Sequence, residues 1–138
     1  MTGTPAVGES FSAEPYLLDE EAAQAYEFGI REPARRRRRN IHSDREAAAK
    51  AGFRAPIAAG EHTIAVAMQL IVDRFGERFF RGGCFDVSLI KPVFFGDTIT
   101  PHARVAAERD GNLEMELWVE NQDGARVLSG TARVPARQ

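Results

Sequence analysis

The chain has little cysteine: Cys84 is the only one in 138 residues. A lone thiol cannot close an internal disulfide and supplies no cysteine cluster for a metal. A disulfide-framed secreted domain and a cysteine-rich metal module are therefore both excluded. Long apolar runs are also missing, and nothing approaches the ~20 residues that span a bilayer as a helix. The first residues lack a basic segment leading into an apolar one, so no secretion signal is expected. Nor is there an excess of positive charge. Lys and Arg total 18 against 20 Asp and Glu, for a net charge of -2. That balance argues against a nucleic-acid binder, despite five consecutive arginines at 35–39. No internal repeat is visible, and no histidine–carboxylate cluster has metal-ligand spacing. The expectation is a soluble cytoplasmic protein without metal or other cofactor, and with neither a membrane nor nucleic acid as partner.

What remains is globular. Hydrophobic residues make up 43% and charged residues 28%, and the length suits one domain over 1–138. Residues 1–9 are small and polar and are expected to be flexible. The stretch "SFSAEPYLL" holds a short first strand. "LDEEAAQAYEFG" reads as a helix, with Asp19 as cap, Glu20 and Glu21 at the positive end of the dipole, and Gly29 as stop. A basic loop follows over 30–41. Ser43 and Glu46 have capping-box spacing for a second helix that Gly52 ends. A long third helix is expected after Pro56, over about residues 57–74. Its apolar positions Ile64, Ala65, Met68, Ile71, Val72 and Phe75 fall in one stripe at ~100° per residue.

After Gly82 and Gly83 the period changes to two. Phe85, Val87 and Leu89 alternate with Cys84, Asp86 and Ser88. Ile99, Ala103 and Val105 alternate with Thr98, Thr100, His102 and Arg104. Leu113, Met115, Leu117 and Val119 alternate with Glu114, Glu116, Trp118 and Glu120. "ARVLSGTARV" is a last, less regular strand. "RDGN" and "NQDG" are hairpin turns. The pattern predicts an α+β domain, with an antiparallel meander of about four strands wrapped around one long helix.

The words "PIAAG" before the long helix, "HSD" ahead of it and "KPVFFGDTI" after it resemble a known family. The order of elements and these words together resemble the hot-dog fold, and more narrowly the MaoC-like dehydratases, which include the (R)-specific enoyl-CoA hydratases. The resemblance runs from about residue 16 to residue 134. It implies an acyl thioester substrate carried on coenzyme A or a carrier protein, and a homodimer with one sheet continuous across the two-fold axis. The family's catalytic word is close to "GD-x-NPIH-x-D". In this chain the equivalent is "RRRNIHSD". His42 matches the catalytic histidine, while Arg37 stands in place of the aspartate and Arg39 in place of the asparagine. The paired Asp/His chemistry is thus not carried over intact.

The candidate residues follow. His42 can exchange a proton near neutral pH, as hydration or dehydration of a thioester requires; it can equally be a surface histidine at a loop–helix junction. Helical periodicity sets Glu61 in the middle of the apolar stripe, directed to the buried side, where it can replace the missing carboxylate; otherwise it is a first-turn acid facing the helix dipole. At Ala59 and Gly60 small side chains leave helix-start N–H groups open to a ligand carbonyl, an oxyanion site, or else simply allow tight packing. The arginines, Arg37 and Arg39 among them, are solvated loop charge or hold phosphates or an anionic substrate group. Asp44 is read as a first-turn acid beside the Ser43 cap. His62, His102 and Trp118 are not singled out. The leading expectation is a hydro-lyase or related cyclase with His42 as acid/base. The rivals are a thioesterase using Glu61 and a non-catalytic hot-dog subunit.

Overall fold

The computed structural model describes residues 3–28 and 40–137, and gives a six-stranded antiparallel sheet laid around one long helix. The α+β hot-dog architecture expected from the sequence is present. Two short strands come first, β1 at Ser10–Ser12 and β2 at Tyr16–Leu18, where the sequence suggested one. Helix α1 follows at Glu20–Phe28, and Asp19 Oδ1 accepts from Ala22 N at 2.8 Å, so Asp19 is the cap that its residue type predicts.

Helix α2 spans Arg45–Lys50. Its cap is Asp44, which accepts from Glu46 N at 2.8 Å, and not Ser43. Ser43 instead lies one residue upstream in a turn, where its Oγ accepts from Asn40 N at 3.2 Å. Two adjacent capping residues compete here, and the backbone turn at Asn40 decides between them. The helix ends as expected. Gly52 takes φ +89, with Phe53 N bonded to Ala48 O and Gly52 N to Ala49 O, the paired bonds of a Schellman stop.

Helix α3 runs Gly60–Phe75, three residues later than expected from Pro56. The backbone of Ile57 and Ala58 is taken up elsewhere: Ile57 N bonds Ile41 O, and Ala58 N bonds Val93 O at 2.7 Å. Of the predicted stripe Ile71 and Phe75 are buried as expected, but over the first part of the helix the buried face is turned from the predicted one. His62, Thr63, Ala67, Leu70, Ile71 and Phe75 are buried, whereas Ile64, Ala65, Met68 and Val72 are half-buried. Glu61 is consequently exposed and does not point to the buried side. The segment from Ile64 to Val72 is apolar at every position but Gln69, so periodicity does not select one face. Gly76, at φ +58, breaks the helix, and a short α4 at Glu77–Gly82 follows that the sequence reading did not assign.

The remaining strands are β3 at Cys84–Leu89, β4 at Asp97–Arg109, β5 at Asn112–Glu120 and β6 at Arg126–Pro135. The sheet order is β1-β4-β5-β6-β3, with β2 also on β4. The expected four-strand meander is thus three strands, β4-β5-β6, and β3 joins the far side of β6 instead of pairing with β4. Asp110 at φ 52 and Gly111 at φ 77 form the tight β4–β5 hairpin that "RDGN" signalled. In β4 and β5 the inward residues are those the alternation named, since Ile99, Ala103, Val105, Leu113, Met115, Leu117 and Val119 are all buried, whereas in β3 Phe85 and Val87 are half-buried and Leu89 is exposed; α3 packs across β4, β5 and β6.

Two details fix the frame around the site. A Cβ at Gly130 would collide with the Asp86 carbonyl and lie 2.7 Å from Val87 Cα, so β3 can approach β6 only over a glycine. Buried Asp97 accepts from Phe94 N and from Gln122 Nε2, both at 2.9 Å, and pairs with Arg54 at 3.6 Å. It closes the turn that carries "FFGD" back under the start of α3.

Candidate active site

Asn40 organises the loop that carries His42. Its side-chain Oδ1 accepts from His42 N at 2.8 Å and from Ser43 Oγ at 3.3 Å. Its main-chain oxygen accepts from Ser43 N at 3.1 Å and Asp44 N at 2.9 Å. These bonds make one compact turn that leads directly into α2. Asn40 was not identified from the sequence; the signal was its place two residues ahead of the histidine, where Asn readily forms a side-chain-to-backbone turn.

The half-buried His42 ring is held from its other side. Nδ1 lies 2.9 Å from the carbonyl of Ile57. A carbonyl oxygen only accepts, so Nδ1 must carry the proton. The neutral ring then has its lone pair on Nε2, which takes no partner among the described residues. The Ile57 carbonyl belongs to the extended segment just before α3, and that segment is itself fixed by Val93 and Phe94. The fold therefore determines both the position and the tautomer of His42.

His42 shares a cavity of about 260 Å³ with Ala58, Gly60, Thr63 and the Leu89–Val93 loop. The start of α3 opens beside it. Ala59 caps without any side-chain hydrogen bond, and His62 N is the first to bond back, to Ala59 O at 2.9 Å. The Gly60 and Glu61 N–H groups are those that a helix leaves unpaired at its beginning. Glycine at 60 lets the end of the exposed Leu89 side chain lie against the helix start, where a Cβ would meet Leu89 Cδ1. His42 and Gly60 are thus brought together. Ala59 lines a second, smaller pocket with His42. Glu61 lines neither and is exposed. Arg37 and Arg39 lie outside the described residues.

The structure adds a group that sequence reasoning passed over. His62 is 4% exposed and stacks flat on Tyr26, with ring centroids 4.3 Å apart and planes 5° from parallel. Its Nε2 is 3.0 Å from the Tyr16 hydroxyl. Burial lowers the His62 pKa, and burial followed by the charge of Asp19 raises that of Tyr16, so both are neutral at pH 7. His62 also lines the smaller pocket beside His42. Among the described residues no group of histidines, cysteines and carboxylates has the arrangement to hold a metal ion.

The sheet wrapped around one long helix defines a hot-dog protein, with His42 set beside the start of that helix. A family model described as "MaoC like domain" matches residues 38–133, and the chain belongs to that family. The R-hydratase PhaJ1 from Pseudomonas aeruginosa superposes with a TM-score of 0.75 at 24% identity, covering 97% of this chain and 83% of that one. A MaoC-like dehydratase from Rhodospirillum rubrum gives 0.69 at 27% identity, covering 94% and 91%. The (R)-hydratase from A. caviae involved in PHA biosynthesis gives 0.67 at 22% identity, covering 97% and 98%. No curated protein sequence matches this chain. Among the described residues no helix is long and apolar enough to cross a membrane.

Proposed function

We propose that this chain is a hydro-lyase acting on an acyl thioester, adding water to an enoyl group or removing it. The observation that carries this reading is His42, held through Nδ1 by Ile57 O at 2.9 Å and sharing a cavity with Gly60 at the start of α3, where Ala59 caps without a side-chain hydrogen bond. The thioester carbonyl lies against the Gly60 N–H, where the helix start favours the negative charge of an enolate. His42 Nε2 takes a proton from the attacking water and returns one to the α-carbon, or performs the reverse. The substrate is carried on coenzyme A or a carrier protein. The arginines at 37 and 39 hold its phosphates or an anionic acyl group. The exposure of Glu61 removes the support that helical periodicity gave to a thioesterase mechanism.

The working unit is a cytoplasmic homodimer. In support, among the described residues β3 is an edge strand paired to β6 alone, and it ends at Leu89 followed by Ile90, each 51% exposed. Incubation with crotonyl-CoA, following enoyl absorbance and free thiol together, tests the reading. Loss of enoyl absorbance without thiol release is expected. Thiol release would indicate hydrolysis, and no reaction with crotonyl-CoA or a longer enoyl-CoA would leave the non-catalytic subunit as the reading to adopt.

A further inference from the structure

On the side of α3 away from β3, the first strand departs from the sheet. Ser12 pairs with His102 and Tyr16 with Ile99, so Ala13, Glu14 and Pro15 stand against only Thr100 and Pro101. The additional residue makes a bulge, and Pro101, which has no N–H to give a neighbouring strand, sits opposite it. Ala13 N still reaches Pro101 O at 3.3 Å. Under the bulge lies a cavity of about 280 Å³. Most of its wall is apolar, from Ala13, Ala65, Val66, Leu70 and Pro101, with the exposed Gln69 and Glu14 beside them, and buried His62 with the partly exposed Tyr16 and Tyr26 completes the lining.

Size, polarity and charge together restrict what this cavity can take. An engineered cavity of about 150 Å³ in another protein holds one benzene, so this one has room for about two fused rings. The polar feature that reaches into the buried side is the Tyr16–His62 pair at 3.0 Å, His62 being 4% exposed, while Gln69 is exposed. Whichever ring nitrogen of His62 carries the proton, the Tyr16 oxygen keeps a lone pair or a hydrogen free. A ligand hydroxyl, which both donates and accepts, satisfies either case. Both members of the pair are neutral, and Glu14 is the charged residue among the described lining, so that lining disfavours an anion.

We propose that the cavity beneath the β1–β2 bulge binds a neutral apolar molecule of about two fused rings, with one hydroxyl group hydrogen-bonded to Tyr16. The site shares no lining residue with the cavity of His42 and Gly60, although His62 and Tyr26 also line the smaller pocket beside His42, and the inference does not depend on the hydro-lyase reading. The test uses the full chain and 2-naphthol, followed by calorimetry or by the fluorescence of the probe. Saturable binding of one molecule per chain is expected, with 2-naphthoate binding at least about tenfold more weakly. Ala65→Phe and Ala13→Leu fill the cavity from opposite walls. Each is expected to raise Kd by about tenfold or more, with the circular dichroism of the native fold retained. If one of them fails to fold, the other decides. Tyr16→Phe is expected to weaken binding by about two- to twelvefold, the value of one hydrogen bond. The proposal is overturned by absence of saturable binding at millimolar 2-naphthol, or by unchanged affinity in the folded cavity-filling variants. Equal affinity for naphthoate, or no effect of Tyr16→Phe, overturns the assignment of the ligand class.

Discussion

Replacing His42 by alanine separates two magnitudes that a purely structural histidine would not separate. The side chain makes one hydrogen bond, from Nδ1 to Ile57 O at 2.9 Å, and is half-buried. Its loss should cost about 0.5–1.5 kcal/mol of stability. For a chain of this length that is a fall in Tm of about 2–5 °C. A domain with a stability of ~5–15 kcal/mol remains folded throughout an assay after such a loss, so unfolding cannot reduce its activity appreciably. The reaction should nevertheless lose about 10²–10⁴-fold in kcat, because the group that moves the proton is gone. That is about 3–5 kcal/mol in the barrier, several times the stability change. Asn40→Ala provides the intermediate case. It leaves the imidazole but removes the Oδ1 that holds His42 N at 2.8 Å, so kcat should fall by about tenfold with little change in Tm. The assay is crotonyl-CoA hydration beside a thermal melt of each variant. Activity in His42→Ala within about threefold of the parent would refute the role of His42 in proton transfer.

The frame and the buried histidine give further expectations. Gly130→Ala should destabilise by about 1–3 kcal/mol or more in urea titration, because the new methyl meets the Asp86 carbonyl and not a side chain that can swing away. A fully stable variant would mean that β3 is not held this close to β6. Asp97→Ala should cost about 2–4 kcal/mol, since Phe94 N and Gln122 Nε2 lose a buried acceptor together. Differential scanning calorimetry measures it, and a loss below about 1 kcal/mol would show that water replaces the carboxylate. Burial lowers the His62 pKa in the folded chain, so the unfolded chain binds the extra proton first as pH falls. The contribution is neutral above the unfolded value of about 6.5 and turns destabilising as pH falls from there to the folded pKa, by at most about 1.4 kcal/mol per pH unit. His62→Gln should flatten that part of the stability–pH curve, and an unchanged slope would show that His62 is not the group responsible.

The alternating strands were legible because one sheet face is consistently buried and the other is not: Leu113, Met115, Leu117 and Val119 against Glu114, Glu116, Trp118 and Glu120 leave no ambiguity of register. Their order in the sheet was not. β3 carries the same alternation whether it pairs with β4 or with β6, and the deciding contact is the bare backbone at Gly130, which a period-two pattern does not encode. At the candidate site the family words led to His42 and Gly60, but not to the hydrogen bonds that orient them. The Ile57 carbonyl is a main-chain group that residue type does not mark, whereas Asn40 two residues ahead of His42 carried a turn signal that was passed over.

The rotation of α3 has a physical cause in the sheet beneath it. The inward side chains of the sheet are bulky, with Ile99, Met115, Leu117, Val119 and Leu128 all buried. A helix laid on such a surface fits most closely through small side chains, and at positions 63 and 67 α3 presents Thr63 and Ala67, each 2% exposed. Turning the predicted stripe inward would place Met68 and Val72 against that layer, and would carry the charge of Glu61 with them. Burying an unpaired carboxylate is costly, and no cation among the described residues is paired with it. The two effects act in the same direction. The turn that places Thr63 and Ala67 on the sheet also places Glu61 in solvent and brings His62 beneath Tyr16 and Tyr26. One packing choice therefore removes the carboxylate that helical periodicity proposed and creates the buried imidazole that it overlooked.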